Sequence, residues 1–394
     1  MRSPTERTVG SPVTVLTYAP YSFNGNGPAQ TCAAILGAWA SPTVTTALHA
    51  GRFRRRPKGV VLRPGVAGAG SLVPWRLVEE RALRRLDDQF AAALDRVDPG
   101  RTVAYFWPDP PLALVERAQA RGVLCVREMI NTALATSGPL LDDAYARLGL
   151  APTHGIGPER IASESDALRR YDAVFAPNPE VEASLRRLGL DQARILPTSF
   201  GWSPERLAGE PEERDRSVVR FLFVGSVNVR KGVPELLEAW ARADLGAGAE
   251  LVLVGRVAPE VAGRVAQAEA LGNVRAVGFQ DRVGDAFRSA DVFVFPTLEE
   301  GGPQVTYEAA GCGLPVITTP MGAARLVETG RSGVVAEPGS VDQLASALVD
   351  LAADPGRRRS FGAEARRRAA DFTYARVGPR RLEQLRVLLD ARQR

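Results

Sequence analysis

Two glutamates, Glu300 and Glu308, are the residues of this sequence whose setting most clearly suggests chemistry. They lie in the stretch 293–319, where an apolar run predicts a strand and the loop 297–302 leads into a helical pattern. Pro303 suits the first position of that helix, because its missing N–H would have no partner there. The pattern therefore predicts a carboxylate on each side of a helix N-terminus, and carboxylates accept hydrogen bonds from sugar hydroxyls.

The start of this helix is also a candidate anion site. The backbone N–H groups of Gln304 and Val305 are expected to point out of the helix, where its dipole favours negative charge. Gly301 and Gly302 would let the backbone approach a ligand, because glycine has no Cβ. A phosphate at the helix start beside a hydroxylated ring is a consistent ligand. The alternative is an ordinary strand, loop and helix with surface glutamates.

A second candidate phosphate site lies in the stretch 221–240. An apolar strand pattern leads to Gly225 and Ser226, and Arg230 and Lys231 then precede a helical pattern. Two adjacent cations just before a helix would offset the charge of a diphosphate. A solvent-exposed basic loop is the alternative interpretation.

These motifs resemble the large family 4 of retaining glycosyltransferases, whose GT-B fold consists of two Rossmann-like domains. Glu300 and Glu308 match the E-x7-E signature of that family, while Gly225, Lys231 and Gly232 match its phosphate loop. The resemblance implies that Glu300 lies near the transferred sugar and that Glu308 binds the nucleotide ribose. It also implies a nucleotide diphosphate sugar as donor, by default a UDP-sugar carrying a hexose. The anomeric configuration would be retained without a protein nucleophile.

The sequence departs from the family pattern at two positions. Ser226 stands where relatives usually have an arginine, and Arg230 is the residue that could replace it. Asn131 stands near the position of a histidine in many relatives. We expect Arg230 and Lys231 to stabilise the charge that grows on the leaving diphosphate, which is commonly the largest catalytic effect. No Asp-x-Asp motif is present, so no cofactor and no catalytic metal is expected.

Three further segments resemble donor-binding parts of the family. The segment 254–256 resembles a strand-end glycine near the nucleotide, and Gly278 and Phe279 resemble the segment that contacts the base, although either could equally be a turn. Gly25 and Gly27 fall where the family has a glycine-rich loop over the donor phosphates, which is weak evidence alone.

The acceptor site is expected at strand ends of the first half of the chain. We expect it to be lined by six residues, Tyr21, Asn24, Trp107, Asp109, Glu128 and Asn131. The acceptor group is expected to be a hydroxyl or an amine of a glycan or small natural product. The basic run 52–58 favours a solvated loop over contact with a membrane surface or an anionic acceptor, and no nucleic-acid motif accompanies it.

Parallel sheets covered by helices are predicted to position these residues, because short apolar runs alternate with helical patterns. The predicted strands are Val13–Tyr18, Gly59–Leu62, Thr102–Trp107, Val123–Arg127, Ala173–Ala176, Ile195–Pro197, Val219–Val224, Glu250–Val254, Val274–Val277, Val292–Phe295 and Pro315–Thr318; the clearest predicted helices are Trp75–Val97 and Pro379–Asp390. This α/β pattern predicts two doubly wound domains facing each other across a cleft. The expected division is an acceptor domain at 1–198, a linker at 199–217, a donor domain at 218–372 and a C-terminal helix at 373–394 that packs back on the first domain.

Composition limits the other classes of function. A chain of 394 residues is too long for one core, and a net charge of +5 suits an anionic ligand without singling out nucleic acid. The two histidines are isolated, which argues against a Ser-His-Asp triad or a His-based metal site. The three cysteines are far apart, which argues against a disulfide framework or a metal cluster, so three buried thiols are expected. Residues 1–11 lack a signal-peptide core and no run approaches a membrane span, so a cytoplasmic protein is predicted.

Two alternatives stay open at this point. A sugar-nucleotide epimerase shares the fold, although it would be expected to need more acid–base groups than the two isolated histidines suggest. A non-catalytic sugar-nucleotide-binding protein is suggested by Ser226 and Asn131.

Overall fold

The computed structural model describes residues 12–25, 27–210 and 217–394. Thirteen strands in these ranges form two parallel sheets. The first sheet has the order β3-β2-β1-β4-β5-β6-β7 and consists of β1 (Val13–Phe23), β2 (Val44–Phe53), β3 (Val61–Pro64), β4 (Thr102–Phe106), β5 (Leu124–Glu128), β6 (Ala173–Ala176) and β7 (Ile195–Pro197). The second has the order β10-β9-β8-β11-β12-β13 and consists of β8 (Val219–Val224), β9 (Ala249–Val254), β10 (Val274–Gly278), β11 (Val292–Phe295), β12 (Val316–Thr318) and β13 (Gly333–Val335). The fold is therefore the predicted α/β class.

Helices connect the strands and cover the sheets. They are α1 (Gly27–Trp39), α2 (Trp75–Leu94), α3 (Leu112–Ala120), α4 (Leu134–Arg147), α5 (Pro158–Arg170), α6 (Pro179–Arg187), α7 (Pro204–Leu207), α8 (Val233–Ala243), α9 (Ala262–Glu269), α10 (Val283–Ser289), α11 (Gln304–Gly311), α12 (Pro320–Ala323), α13 (Val341–Ala353), α14 (Pro355–Ala369) and α15 (Tyr374–Arg392). Strands such as β4 and β11 are buried along their whole length. Parallel strands covered on both faces are expected to be apolar throughout, which explains the unbroken apolar runs in the sequence.

Two strands were missed from the sequence, and one predicted strand is longer than expected. β2 was missed because Thr45, Thr46 and His49 interrupt its apolar pattern. β13 was missed because it begins at Gly333 and offers only two apolar residues, Val334 and Val335. β1 does not end at Tyr18 but continues to Phe23, with its pairing to β2 shifted between Ala19 and Ser22. Such an irregularity accommodates Pro20, which cannot donate a ladder hydrogen bond.

The final helix crosses from the second sheet to the first. It begins at Tyr374, earlier than predicted, so that Pro379 lies inside it rather than at its start. It packs on α1, where Trp39 Nε1 donates to the Gly378 carbonyl oxygen at 2.7 Å. A Cβ at position 378 would overlap the side chain of Ala38, so glycine is needed for this close approach.

The stretch predicted as a linker is partly ordered by contacts. Trp202 pairs with Thr373 through backbone hydrogen bonds and donates its indole N–H to the Ala369 carbonyl oxygen at 2.8 Å. The charged run at 212–216 and the polar residues 1–11 lie outside the described residues. All three cysteines are free thiols, but Cys312 is only partly buried, unlike the expectation for all three.

Candidate active site

The carboxyl ends of the two sheets meet at the loop 299–302. Glu299 accepts hydrogen bonds from the Thr132 backbone N–H at 2.9 Å and from its hydroxyl at 3.2 Å, although the two residues belong to opposite halves of the chain. A Cβ at Gly301 would overlap the backbone of Ile130, and one at Gly302 would overlap the ring of Phe200. The two glycines therefore allow the loop to approach other segments of the same chain closely. This corrects the prediction that they make room for a ligand.

Buried Lys231 forms an ion pair with half-buried Glu300, so two predicted catalytic residues lie together. The Lys231 ammonium also donates to the Glu299 carbonyl oxygen at 3.4 Å. Burial lowers the pKa of Lys231, and neighbouring Arg230 lowers it further, against the opposing effect of Glu300. Burial alone would raise the pKa of Glu300, but Lys231 and Arg230 outweigh it and lower that pKa. The two shifts oppose each other within the pair: the lowered pKa of Glu300 favours its charged form, whereas the lowered pKa of Lys231 disfavours its charged form.

A tight turn at residues 228–232 positions the side chains of Arg230 and Lys231. The Asn228 side chain accepts from the Lys231 backbone N–H at 3.1 Å, and Gly232 then has a φ of 67°. This left-handed conformation favours glycine, and a Cβ there would also overlap the Pro296 carbonyl oxygen. Arg230 pairs with Glu299 at 3.2 Å and does not line the cavity that contains Ser226, so in this structure it does not replace the family arginine there.

A cavity of about 450 Å³ lies beside this turn, at the carboxyl end of the second sheet. Seven of the predicted donor residues line it: Gly27, Gly225, Ser226, Phe279, Gln304, Val305 and Glu308. The predicted residues outside its lining are Gly25, Arg230, Lys231, Gly278, Glu300, Gly301, Gly302 and Pro303. Gly278 accepts the Gly255 backbone N–H at 2.9 Å and so shapes the wall indirectly. Gly25 has a φ of 91° and lies against the side chain of Arg55.

Glu308 is the buried carboxylate of this cavity. It accepts hydrogen bonds from Arg206 at 3.1 Å and from the Gln304 side chain at 2.9 Å. Burial raises its pKa, and Arg206 and Gln304 oppose that shift. Sequence reasoning missed Arg206, because it lies on the short helix α7 inside a stretch without periodicity. A second cation of the cavity, Arg256, lies in the segment 254–256 that the family resemblance had indicated.

The start of α11 differs from the predicted anion site. Pro303 precedes the helix instead of occupying its first position. The Gln304 backbone N–H donates to the Gly302 carbonyl oxygen at 2.8 Å, so it is not free for a ligand as predicted. The Gln304 side chain instead accepts from the hydroxyls of Thr31, on α1, at 3.0 Å and Tyr374, on α15, at 3.1 Å.

Two of the predicted acceptor residues are fully buried, which corrects that prediction. Glu128 pairs with Arg381 of α15 and accepts from the Tyr105 hydroxyl, and burial raises its pKa to about 7 against the opposing effect of Arg381. Trp107 stacks on Phe200 at 6.3 Å between ring centroids. Neither side chain lines an open cleft. The other four reach the surface: Asn24 and Asp109 are exposed, and Tyr21 and Asn131 are half-buried.

The basic run 52–58 is not uniformly solvated. Arg52 is buried, with its guanidinium 5.2 Å from the Trp75 ring centroid, whereas Arg54, Arg55 and Arg56 are exposed as predicted. In the described part of the chain, no helix combines the length and apolar composition that crossing a membrane requires. Within residues 12–25, 27–210 and 217–394, no three His, Cys, Asp or Glu side chains are arranged to hold a metal ion.

Comparison with known proteins agrees with this geometry. The family model for glycosyl transferases group 1 matches residues 219–354. D-inositol 3-phosphate glycosyltransferase 1 of Catenulispora acidiphila is 30% identical over 372 residues, which cover 84% of this chain and 82% of the relative. A GDP-mannose-dependent monoacylated alpha-(1-6)-phosphatidylinositol monomannoside mannosyltransferase of Corynebacterium glutamicum is 29% identical over 238 residues, which cover 54% of this chain and 58% of the relative.

Solved structures show the same fold. Sucrose-phosphate synthase from Thermosynechococcus elongatus superposes with a TM-score of 0.73 at 19% identity, over 96% of this chain and all of that one. WaaG, a glycosyltransferase of lipopolysaccharide biosynthesis, superposes with a TM-score of 0.66 at 20% identity, over 93% of this chain and 98% of that one. Both resemblances extend across the two sheets. This chain is thus an enzyme of the glycosyl transferases group 1 family, the family 4 glycosyltransferases of GT-B fold.

Proposed function

We propose that this glycosyltransferase moves a hexose from a nucleotide diphosphate sugar to a hydroxyl or amine of a glycan or small natural product, with retention of configuration. The observation that carries the proposal is the cavity lined by Glu308, next to the Lys231–Glu300 ion pair. Glu308 would accept from the ribose hydroxyls, and Phe279 would offer its exposed ring to the base. The diphosphate would then extend toward Lys231.

In the proposed reaction the diphosphate is the leaving group. Negative charge would grow on it in the transition state, and Lys231 and Arg230 would stabilise that charge from their positions beside Glu300 and Glu299. Glu300 would hold the Lys231 ammonium and contact the transferred sugar. Retention would follow from attack by the acceptor on the face of the sugar from which the diphosphate departs, so that Glu300 and Glu308 do not act as a glycosidase pair.

The base is proposed to be uracil by default, and guanine is the main competitor. The Corynebacterium glutamicum relative is named as GDP-mannose-dependent, while the Catenulispora acidiphila relative is named for an inositol phosphate acceptor. We further propose that no metal takes part and that Lys231 and Arg230 would offset the phosphate charge instead. The proposed location is the cytoplasm.

A thermal-shift panel tests the donor site. The purified chain is heated with UDP, GDP, ADP or TDP, and a ligand at a hundredfold excess over its Kd adds about 2.7 kcal/mol to the free energy of unfolding. We expect one nucleotide to raise Tm, with the shift lost in Glu308→Ala and Lys231→Ala and kept in the exposed controls Glu79→Ala and Lys58→Ala. EDTA should leave the shift and the turnover of the matching sugar nucleotide unchanged.

The same panel separates the alternatives. Absence of any shift in the wild-type chain, with the chain folded, would contradict the proposed donor site. If the enzyme released a free epimerised sugar without an acceptor, the proposed function would be epimerisation instead of sugar transfer. Product analysis by NMR at the anomeric carbon would show inversion if the stereochemical part of the proposal is wrong.

A further inference from the structure

A second cavity, of about 430 Å³, lies at the carboxyl-end edge of the first sheet. It shares no lining residue with the cavity around Glu308. Its wall includes Asp109 after β4, Arg127 on β5, and Arg160 and Glu164 on α5. In this fold, ligands bind outside the carboxyl ends of the strands, so the position suits a substrate.

The wall contains buried donors without partners. Arg127 is 5% exposed, its Nε has no hydrogen-bond partner, and it forms no ion pair with any described residue. Its guanidinium lies 5.8 Å from the ring centroid of Tyr171 and lowers the pKa of that tyrosine, against the larger effect of burial. The buried Tyr171 hydroxyl has no hydrogen-bond partner among the described residues apart from this guanidinium. Outside the cavity lining, the Tyr21 hydroxyl is also buried and unpartnered, and Asp109 and Arg127 both act on its pKa, which burial raises. Unsatisfied buried donors destabilise a fold, and several in one place indicate a ligand that accepts from them.

The nearby carboxylates do not neutralise Arg127. Glu164 accepts from the Leu134 backbone N–H at 2.6 Å, and Asp109 is exposed. A third carboxylate of the wall, Asp166, pairs with Arg169 at 3.3 Å. Arg127 thus has no carboxylate at ion-pair distance among the described residues, although its charge acts on the pKa of Glu164 and of Glu128. A buried charge is costly until it is paired at contact distance.

We propose that this cavity binds an anionic group of the acceptor, a phosphate monoester or a carboxylate, with Arg127 as its counter-ion. The guanidinium can donate two parallel hydrogen bonds to such a group. The Tyr171 hydroxyl supplies a further donor, and Arg160 of the cavity wall adds a second positive charge. A neutral sugar could accept hydrogen bonds here but would leave the buried charge unpaired. The inference rests on the proposed transferase function and names the class of its acceptor.

Calorimetric titration of the full chain tests the proposal with glucose 6-phosphate, glucuronate and glucose as probes. We expect at least one anionic probe to bind about tenfold or more tighter than glucose, as charge-assisted hydrogen bonds require. The order of the two anionic probes distinguishes phosphate from carboxylate. Arg127→Met should abolish the preference, whereas Arg81→Met, an exposed arginine of the same domain, should keep it.

Stability and nucleotide binding complete the test. Arg127→Met should unfold at the same or a higher temperature, because it removes an unpaired buried charge without breaking an ion pair. Equal binding of glucose and the anionic probes, an unchanged preference in Arg127→Met, or a large loss of stability in that variant would overturn the proposal. Nucleotide binding without an anion preference would remove only this subsite, whereas an Arg127-dependent preference without nucleotide binding would remove the proposed donor site.

Discussion

At the scale of single residues, the state of Glu308 depends on Arg206. Burial raises the pKa of Glu308, and the guanidinium and the Gln304 amide oppose that shift by donating to the carboxylate. A protonated Glu308 could no longer accept a hydrogen bond at both oxygens, and that capacity is what recognition of ribose hydroxyls requires. Arg206 is therefore expected to favour the ionised form of the carboxylate and to orient it.

Arg206→Ala is expected to weaken nucleoside diphosphate binding by about tenfold to a hundredfold, the range for a lost hydrogen bond to a charged group. The affinity is measured by calorimetry at neutral pH, with the exposed Arg76→Ala as matched control. Unchanged or tighter binding would mean that Arg206 obstructs the cavity rather than supporting Glu308.

At the scale of elements, α15 joins the first sheet through one fully buried ion pair. Arg381 pairs with Glu128 at the end of β5 and also donates to the Ser199 carbonyl oxygen at 3.1 Å. Its guanidinium lies 4.2 Å from the Phe175 ring centroid on β6. Removing one partner of such a pair commonly costs about 3–5 kcal/mol, because the other charge stays buried.

This pair predicts a pH dependence of stability. Burial raises the pKa of Glu128 to about 7 in the folded chain, against the ordinary value of 4.5. The folded state therefore binds more protons than the unfolded state between these values, so this group's contribution is fully present below 4.5 and is lost as pH rises through 7. Denaturant unfolding across this range should show that decline in the wild type and not in Glu128→Gln. An opposite slope difference would show that Arg381 outweighs burial.

The strands also show which elements can be predicted from the sequence and which cannot. Strands buried on both faces, such as β4, β8 and β11, were predictable from unbroken apolar runs. β2 was not, since its His49 reads as polar in sequence although it packs edge-on against Phe90 at 5.1 Å, with a pKa lowered by burial to about 4.

The candidate site was predictable where chemistry and local sequence coincide, and not where it depends on tertiary contact. Lys231, Glu300 and Glu308 follow from motifs beside strand ends. Arg206 reaches the cavity only because the linker folds back, and the Glu128 side chain points to α15, which no local pattern reveals.

At the scale of the whole molecule, the two halves meet through polar contacts and through Tyr145 of α4, which packs into the core of the second half. Glu299 accepts from Thr132, and Asn178 after β6 donates to the Met321 carbonyl oxygen at 2.7 Å. Arg325 donates to the Thr198 carbonyl oxygen at 2.6 Å. The backbone of Gly301 passes against Ile130 in the middle of this interface, where no side chain fits.

Gly301→Ala is expected to force the halves apart or to strain them. The added methyl group would overlap the Ile130 backbone, and overpacking of this kind costs about 1–3 kcal/mol. Small-angle scattering should show a larger radius of gyration, with a lower kcat because the cleft closes less often. Gly263→Ala is the matched control, since its methyl group would meet no atom within 4 Å. Identical scattering and kcat in both variants would contradict this role for Gly301.

The Gln304 amide joins three parts of the chain at one point: its oxygen accepts from α1 and α15, and its nitrogen donates to Glu308. A ligand that competes for the Glu308 oxygens is therefore expected to act on this amide, and through it on the Thr31 hydrogen bond between the first half of the chain and the second. Donor binding would then shift the equilibrium between different angles of the two halves. That change of angle would in turn alter donor affinity by the same free energy. In such an enzyme, nucleotide binding in the second half would change the conformation of the half that receives the acceptor, before any acceptor is bound.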